Sequence, residues 1–425
     1  MYRYCTIESL QTNQNAGTGR CHNIVIRVAY PLRMRRIAII PIVLVLVASQ
    51  LLTAPSNDIQ FIFTSDVHYG ITRSSFRGLE NVDAHTVNAA MVGEINELAH
   101  SSFPADGGLR SALPVGPVDF IAVGGDIANR EEAAAGEAIQ SAATSWSQFQ
   151  LDYASRLDLI DRTGNRLPLY VIPGNHDASN AVGHYKPMLP LIDKTSMVGI
   201  FNLMMAPSTP KSASTYEYAR DKVRVAHDIG GVHFMFITLW PDTGTRSWME
   251  SELLQVDSST PVIVFAHDPP DSDSKHFINP NGRHDINEID KFENLLSDVF
   301  ADDSGGARSV DVTPLAEQKD LELFLRQHPN VTGYFHGHNN WNQFYDWTGP
   351  NNSVVLHTFR VDSPMKGHFS AADETKLSFQ IATISGASRL MTVREVLWNA
   401  DPNHPDAPVA WGASTTVALA PRPVH

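Results

Sequence analysis

The sequence predicts an α/β fold whose parallel strands end in residue types that bind metal ions. Short apolar segments are closed abruptly by glycine, proline or a polar residue, which is typical of buried strands. Helical spacing of apolar residues separates the first three segments, and this alternation favours parallel pairing with right-handed crossovers. Polar residues follow each segment, at the position where open α/β sheets bind their ligands.

The predicted elements begin with a β–α–β–α–β series. In chain order this series is a strand at 57–66, a helix at 86–100, a strand at 118–124, a helical stretch at 131–160 and a strand at 169–172. The second half adds a hairpin, two helices and further strands. In chain order these are a hairpin at 223–240, a helix at 246–256, a strand at 261–266, a helix at 316–328, a strand at 331–338 and antiparallel strands at 353–361 and 376–384. Two insertions, 178–215 and 271–312, lack a clear pattern, and we expect them to act as lids.

The N-terminal region predicts export. Basic residues precede an apolar run at 37–48, namely Arg33, Arg35 and Arg36. Val47, Ala48 and Ser49 then supply the small residues that a signal peptidase reads. We expect cleavage, a periplasmic or secreted protein, and no stable membrane insertion afterwards. A single membrane anchor that continues to Leu52 is the alternative.

Composition narrows the function classes. A hydrophobic content of 43% is that of a globular protein and fits neither a disordered nor a multi-pass membrane chain. The net charge of −14 argues against binding of nucleic-acid polymers, because phosphate contacts need a basic surface. Both cysteines, Cys5 and Cys21, precede the apolar run, so we expect no disulfide in the mature chain. The expected divisions are an upstream extension with a signal peptide at 1–54, one domain at 55–400 and a C-terminal tail or edge strand at 401–425.

Five strand ends carry imidazole, carboxylate and amide groups, the ligand types that divalent transition ions accept. In chain order they are Asp66-Val67-His68, Gly125-Asp126, Asn175-His176-Asp177, His267 and His336-Gly337-His338. Caps, turns and structural histidines would explain any one of these residues alone. Because the set recurs in the same place after successive strands, we expect the strand ends to form one metal site. Two ions about 3.5–4 Å apart could share one carboxylate there.

This ordered set resembles the calcineurin-like metallophosphoesterase superfamily over roughly residues 59–345. The resemblance implies a four-layer α-β-β-α sandwich, classed as α/β or, in some schemes, α+β, with the metal site at the loops after the strands. The strands within 341–384 would extend the second sheet. It also implies two divalent transition-metal ions, Mn, Zn or Fe, and hydrolysis of a small phosphate mono- or diester by in-line attack of a metal-bound hydroxide.

The resemblance assigns roles to individual residues. Asp66 and His68 would bind the first metal, and Asp126 would bridge both metals. Asn175 and His267 would bind the second metal.

Two further residues would act on the substrate. His176 would hydrogen-bond the phosphate and protonate the leaving group, and Asp177 would orient the His176 imidazole from behind. Purple-type members of the superfamily carry a tyrosine ligand three residues after the bridging aspartate. Asn129 stands there in this chain, so a purple Fe(III) enzyme is not expected.

The last motif leaves two registers open. The last motif of the superfamily is Gly-His-x-His, with one histidine for each metal. If Gly337 is aligned with the glycine of that motif, His338 binds the second metal and Asn340 stands where a histidine ligand of the first metal is expected. With His336 and His338 as the pair, Phe335 replaces the glycine. We favour the first register because glycine suits a tight turn after a strand. The first metal would then bind weakly, since an amide oxygen is a weaker ligand than an imidazole.

Two other functions stay open. One is a catalytically compromised metal-binding protein on the same scaffold, and the other is an unrelated two-metal hydrolase. His176 favours the enzyme, because a scaffold without activity needs no leaving-group acid, whereas Asn340 keeps the binding protein open. Four aromatic side chains could line a leaving-group pocket or pack on the sheet, namely Trp341, Phe344, Tyr345 and Trp347. Arg130 and Arg360 could act as phosphate clamps.

Overall fold

The computed structural model describes residues 58–129, 140–178, 193–272 and 315–422. The predicted signal peptide, Arg130, residues 179–192 of the first predicted insertion and residues 273–312 of the second lie outside these ranges. The described strands, in chain order, are β1 (Ile59–Thr64), β2 (Thr72–Phe76), β3 (Leu79–Asp83), β4 (Phe120–Val123), β5 (Leu169–Val171), β6 (Arg224–Ile229), β7 (Val232–Ile237), β8 (Val262–Phe265), β9 (Val331–His336), β10 (Gln343–Trp347), β11 (Leu356–Arg360), β12 (Ser378–Ser385), β13 (Leu390–Leu397) and β14 (Ala410–Ala418).

Five α-helices connect these strands within the described ranges. They are α1 (Ala84–Leu98), α2 (Ala142–Phe149), which continues as a π-helix over Gln150–Arg156, α3 (Thr195–Met205), α4 (Thr243–Leu253) and α5 (Leu315–Gln327). Helix α1 begins two residues earlier than the sequence predicted because Asp83 caps it. The Asp83 carboxylate accepts a hydrogen bond of 3.0 Å from the amide of Thr86. None of the helices in these ranges has the length and apolar character that a bilayer span requires.

The strands form two six-stranded sheets. The first has the order β14-β13-β12-β1-β4-β5, and the second has the order β10-β11-β9-β8-β7-β6. In the first sheet β1, β4 and β5 are parallel, as the β–α–β–α–β pattern predicted. In the second sheet β7, β8, β9 and β11 are parallel. The carboxyl ends of the parallel strands therefore lie at one edge of each sheet.

One prediction about the late strands was wrong. The strand predicted at 376–384 does not extend the second sheet, because it forms β12 of the first sheet, antiparallel to β1. Strand β12 is buried along all but its last residue, which suits an interior position between β1 and β13. The strand predicted at 353–361 does join the second sheet as β11. Residues 410–418 form the edge strand β14, and the limits of the predicted domain stay a prediction.

A cluster of phenylalanine rings fills the space between the two sheets. Phe61 of β1 stacks on Phe120 of β4 with ring centroids 4.8 Å apart. From the second sheet, Phe265 and Phe335 meet the edge of Phe61 at centroid distances of 5.5 and 5.1 Å. All four rings are fully buried or nearly so. The cluster thus fixes the four strands whose carboxyl ends carry most of the predicted ligands.

Helices cover the outer faces of both sheets. Val87, Met91 and Ile95 form an apolar stripe on α1 that belongs to the core of the first sheet. Leu321 and Leu325 of α5 belong to a second cluster that includes residues of β7, β8 and β9. The predicted four-layer α-β-β-α architecture is therefore confirmed.

Replacing Phe61 with alanine should lower the free energy of unfolding by about 3–5 kcal/mol, because it leaves a cavity among four rings. Phe369→Ala is the matched control, since that ring is 58% exposed. It should change stability by less than about 0.5 kcal/mol. Denaturant midpoints of the two variants measure the difference, and equal midpoints would contradict the packing described here.

Candidate metal centre

Backbone hydrogen bonds hold the loops after β1, β4 and β9 side by side. The amides of Asp66 and His68 donate to the carbonyl oxygens of Gly125 and Asp126, each at 2.9 Å. The amide of His338 donates to the Oδ2 atom of Asp66 at 3.0 Å and so joins the second sheet to the first. The two sheets therefore contribute their carboxyl ends to one common edge.

His267 shows most directly that a positive charge belongs at this edge. Its Nδ1 atom donates to the carbonyl oxygen of Gly124 at 2.8 Å. Its Nε2 atom therefore turns toward the Oδ1 atom of Asn175, at 3.0 Å, and the Oδ2 atom of Asp126, at 3.5 Å. Burial opposes protonation, but the carboxylates of Asp126 and Asp66 outweigh it and raise the pKa of His267 to about 10. A divalent ion would supply the positive charge that these atoms need.

The Oδ2 atom of Asp126 lies at the centre of three imidazoles. The Nε2 atoms of His68, His176 and His267 are 3.8, 3.9 and 3.5 Å from it. Its Oδ1 atom accepts a hydrogen bond of 2.8 Å from the amide of His176. Burial acts to raise the pKa of Asp126, but the surrounding histidines hold it well below its usual range. The oxygen is thus placed as a ligand shared by two ions would be.

Asp66 and His68, in the loop after β1, supply further buried polar atoms at this edge. The Oδ1 atom of Asp66 and the Nε2 atom of His68 are 3.7 Å apart, and both are buried. Neither atom has a hydrogen-bond partner among the described residues, and the same holds for the buried Oδ1 atom of Asn340. Buried polar atoms without partners are costly, by about 1–3 kcal/mol each, unless a ligand satisfies them. The carboxylate of Asp66 and the imidazole of His68 lie close enough together to hold one divalent transition ion, a type of ion that also accepts amide oxygens such as that of Asn340.

A cluster of possible ligand atoms from the second sheet includes a residue that the sequence analysis missed. One atom each from His267, Asp268 and His338 lies within 4.8 Å of the other two. The Oδ1 atom of Asp268 is 3.9 Å from the Nδ1 atom of His338. The signal was present in the sequence, because Asp268 directly follows a predicted ligand.

The structure favours the register that starts at Gly337. The ring nitrogens of His336 lie 2.9 Å from the carbonyl oxygen of Gly337 and 2.9 Å from the hydroxyl of Tyr345. Both ring nitrogens of His336 thus contact protein atoms, and its role as a metal ligand stays a prediction. A Cβ atom at Gly337 would overlap Ser65 and Asp66, so only glycine lets the loop approach this closely.

Five of the predicted ligands have backbones in the left-handed region, which non-glycine residues rarely adopt. Their φ angles are +55° for Asp66, +43° for His68, +52° for Asp126, +67° for His338 and +63° for Asn340. Each costs about 1–2 kcal/mol, and such residues cluster at functional sites. The strain turns these side chains away from their strands and toward the common edge.

Asp177 does not lie behind the His176 imidazole, so that prediction was wrong. Its carboxylate is buried and accepts four hydrogen bonds from other groups. The donors are the amides of Ile127, Ala128 and Gly174, at 3.0–3.2 Å, and the hydroxyl of Ser196. Burial and the nearby Asp126 raise the pKa of Asp177 to about 6. Asp177 thus fixes the loops after β4 and β5 through their backbones.

Asn129 takes the position that the sequence analysis gave to Asp177. Its Oδ1 atom is 3.1 Å from the Nδ1 atom of His176, and its Nδ2 atom is 3.3 Å from the Nδ1 atom of His68. To bind a metal through Nε2, His68 needs its proton on Nδ1, and the Asn129 amide would then turn its oxygen to that proton. The amide nitrogen would then face Nδ1 of His176, which places the proton of His176 on Nε2.

Lys366 is a further residue that the sequence analysis missed, because it belongs to no motif. Its Nζ atom lies 3.4 Å from the Nε2 atom of His176. Ser363 anchors the same loop, since its hydroxyl donates to the carbonyl oxygen of Asp66 at 2.7 Å and accepts from the amide of Lys366 at 2.9 Å. A cation thus faces the metal centre beside the predicted acid.

A family comparison agrees with this geometry. The calcineurin-like phosphoesterase family matches residues 59–369 of the chain. The chain belongs to this family. Membership makes it a metal-dependent phosphoesterase whose site takes divalent metal ions.

Solved structures that match this phosphoesterase share little sequence with it. A dimetal phosphatase from Danio rerio is 10% identical, with a TM-score of 0.43 and coverage of 79% of this chain and 95% of that one. A Vps29 variant from Entamoeba histolytica is 9% identical, with a TM-score of 0.30 and coverage of 84% and 99%. The calcineurin-like phosphoesterase YfkN from Bacillus subtilis is 10% identical, with a TM-score of 0.30 and coverage of 86% and 92%. No curated protein sequence matches the chain.

Replacing Asp177 with alanine should lower the unfolding free energy of the metal-free phosphoesterase by about 2–3 kcal/mol, because buried amides lose their acceptor. Asp373→Ala is the matched control. Asp373 also accepts a hydrogen bond from an amide, that of Thr375 at 3.1 Å, but it is exposed, so water replaces the lost bond. Chemical denaturation compares the two variants. A stable Asp177→Ala protein would contradict the structural role of this carboxylate.

Proposed function

We propose that this chain is an exported enzyme that hydrolyses mono- or diesters of phosphate in small molecules at a two-metal site. The observation that carries the proposal is the convergence of Asp66, Asp126 and His267, whose ligand atoms lie within 4.8 Å of one another. Export rests on the sequence of residues 33–49, and N-terminal sequencing of the mature protein tests it.

The proposed ligands divide into two sets that share Asp126. The first set is Asp66, His68, Asn340 and Asp126, and the second is Asn175, His267, His338 and Asp126. Mn, Zn and Fe all accept this mixture of nitrogen and oxygen ligands. When bound, two such ions supply a water nucleophile at neutral pH and neutralise charge on the phosphate. The first site should be the weaker one, because Asn340 offers an amide oxygen where an imidazole would bind more tightly.

The chain's own residues handle the substrate. The Nε2 edge of His176 faces the centre, 3.9 Å from Asp126 Oδ2, while Asn129 holds the opposite nitrogen. His176 is thereby oriented to donate a proton to the leaving oxygen. Lys366, 3.4 Å from that edge, offers an ammonium group to the phosphoryl oxygens.

Hydrolysis of p-nitrophenyl phosphate and bis-p-nitrophenyl phosphate by the metal-loaded protein tests the proposal. We expect turnover that chelation abolishes and Mn, Zn or Fe restores, and the preferred ester identifies the subclass. The alternative, a catalytically compromised metal-binding protein, predicts bound metal without turnover. His176 and Lys366 favour the enzyme, because metal binding alone requires neither.

His176→Gln should lower kcat by about 10²–10³-fold on phenyl phosphate, since a poor leaving group needs the proton. The loss should be smaller on p-nitrophenyl phosphate, whose leaving group departs without protonation. Elemental analysis should find the metal content unchanged. Loss of metal from this variant would instead identify His176 as a ligand.

Asn340→His should tighten binding at the first site by replacing an amide oxygen with an imidazole. His336→Ala, the comparison variant, should keep the metal content of the wild-type protein, because both ring nitrogens of His336 already contact protein atoms. Metal titration monitored by calorimetry measures both. The opposite pattern, with metal lost from His336→Ala and no gain from Asn340→His, would favour the other register.

A further inference from the structure

A cavity of about 480 Å³ opens beside the metal centre, on the side of His338 and Asn339. Its volume is typical of sites that bind small molecules. Its other walls come from the loop after β8 and from the segments that carry β10 and β11. They include Pro269, Ser272, Trp341, Gln343, Tyr345 and Arg360. Asp126, His176 and Lys366 do not line this cavity but the proposed ligand His338 does, so the cavity adjoins the place where the phosphoryl group would react.

Arg360 is a strand-end residue like the proposed ligands. It is the last residue of β11, where it pairs with His336 of the parallel strand β9 and with Gln343 of β10. Because β9 and β11 run in the same direction, Arg360 reaches the edge at which His338 enters the metal centre. The register of the second sheet therefore places the cation of Arg360 in the cavity that the proposed metal ligand His338 also lines.

The guanidinium group of Arg360 is held in a fixed position by contacts with Trp341 and Gln343. Its Cζ atom lies 3.5 Å from the ring centroid of Trp341, and its Nη2 atom donates to the side-chain oxygen of Gln343. The residue is 7% exposed, and its buried Nε atom has no hydrogen-bond partner among the described residues. Because Arg360 lines the cavity, its fixed guanidinium suits an oxyanion there, since carboxylate and phosphate oxygens match its fork.

The surroundings favour an oxyanion over a neutral aromatic group. Trp341 already contacts Arg360, and its ring centroid is 5.6 Å from that of His368, so both neighbours compete with a stacking ligand. Asp271 lines the cavity as well, but its carboxylate is exposed and forms no ion pair with Arg360 among the described residues. Exposed charges are strongly screened, so Asp271 weakens the field of Arg360 without cancelling it.

We propose that this cavity binds the organic part of the substrate and that Arg360 recognises a carboxylate or a second phosphate on it. This inference rests on the proposed phosphoesterase function, and it narrows the substrate class to phosphate esters that carry another oxyanion. Lys366 and Arg360 then have different tasks. Lys366 contacts the reacting phosphoryl group beside His176, and Arg360 contacts the remote anion beside His338.

Binding of inert phosphonates to the metal-loaded protein tests the proposal. Phenylphosphonate carries the phosphonate alone, whereas 3- and 4-phosphonobenzoate add a carboxylate on the same ring. Calorimetry should give a Kd about tenfold lower for the better phosphonobenzoate than for phenylphosphonate, as expected for a charged hydrogen bond to a carboxylate. This ratio of Kd values should fall to near one in Arg360→Met and partly recover in Arg360→Lys, which keeps the charge but loses the fork.

Arg220→Met is the matched control, because Arg220 is 57% exposed and paired with Glu217 away from this cavity. It should leave the ratio unchanged. Equal binding of all three ligands to the wild-type protein would overturn the proposal. The same follows if Arg360→Met weakens all three equally, because Arg360 would then act on the phosphoryl group or on the fold.

The binding test separates this proposal from the proposed function. If the phosphonobenzoate preference is present and no ester is hydrolysed, the enzyme proposal fails and the oxyanion site stands. If esters are hydrolysed and the preference is absent, only the oxyanion site fails.

Discussion

One buried carboxylate oxygen, Oδ2 of Asp126, organises this site. Three imidazole nitrogens from three different loops surround it at 3.5–3.9 Å. Because His267 donates its other ring proton to a carbonyl oxygen, its Nε2 atom faces oxygens of Asn175 and Asp126. Such an arrangement is stable only with positive charge among these atoms, and a metal centre satisfies that constraint.

The fold meets this constraint by rigid packing and local strain. Rings from β1, β4, β8 and β9 interlock between the sheets, so the strand ends beyond them have little freedom to separate. The loops then turn sharply, and five proposed ligands have positive φ angles. Asp177 holds two of these loops by their amides. The core thus offsets the strain that brings the ligands together.

The sequence predicted what depends on local pattern. The parallel strands and the polar residues at their ends follow from apolar runs closed by turns, whereas the four layers were implied by the resemblance to the metallophosphoesterase superfamily. The sequence did not predict features that depend on contacts between segments far apart in the chain. Strand β12 lies beside β1, which no local pattern encodes, and the short hairpin of β2 and β3 was not predicted. Asn129 and Lys366 contact site residues from positions without a predicted ligand role, and Asp177 and His336 have partners that only the tertiary structure supplies.

Metal stoichiometry tests the central claim most directly. Elemental analysis of the purified mature chain should find about two transition ions in the wild-type protein, because two ligand sets share one carboxylate. Asp126→Asn, checked for folding by circular dichroism, should lose both ions together. Retention of either ion at full occupancy in folded Asp126→Asn would contradict the account, because Asp126 would then not be the shared ligand.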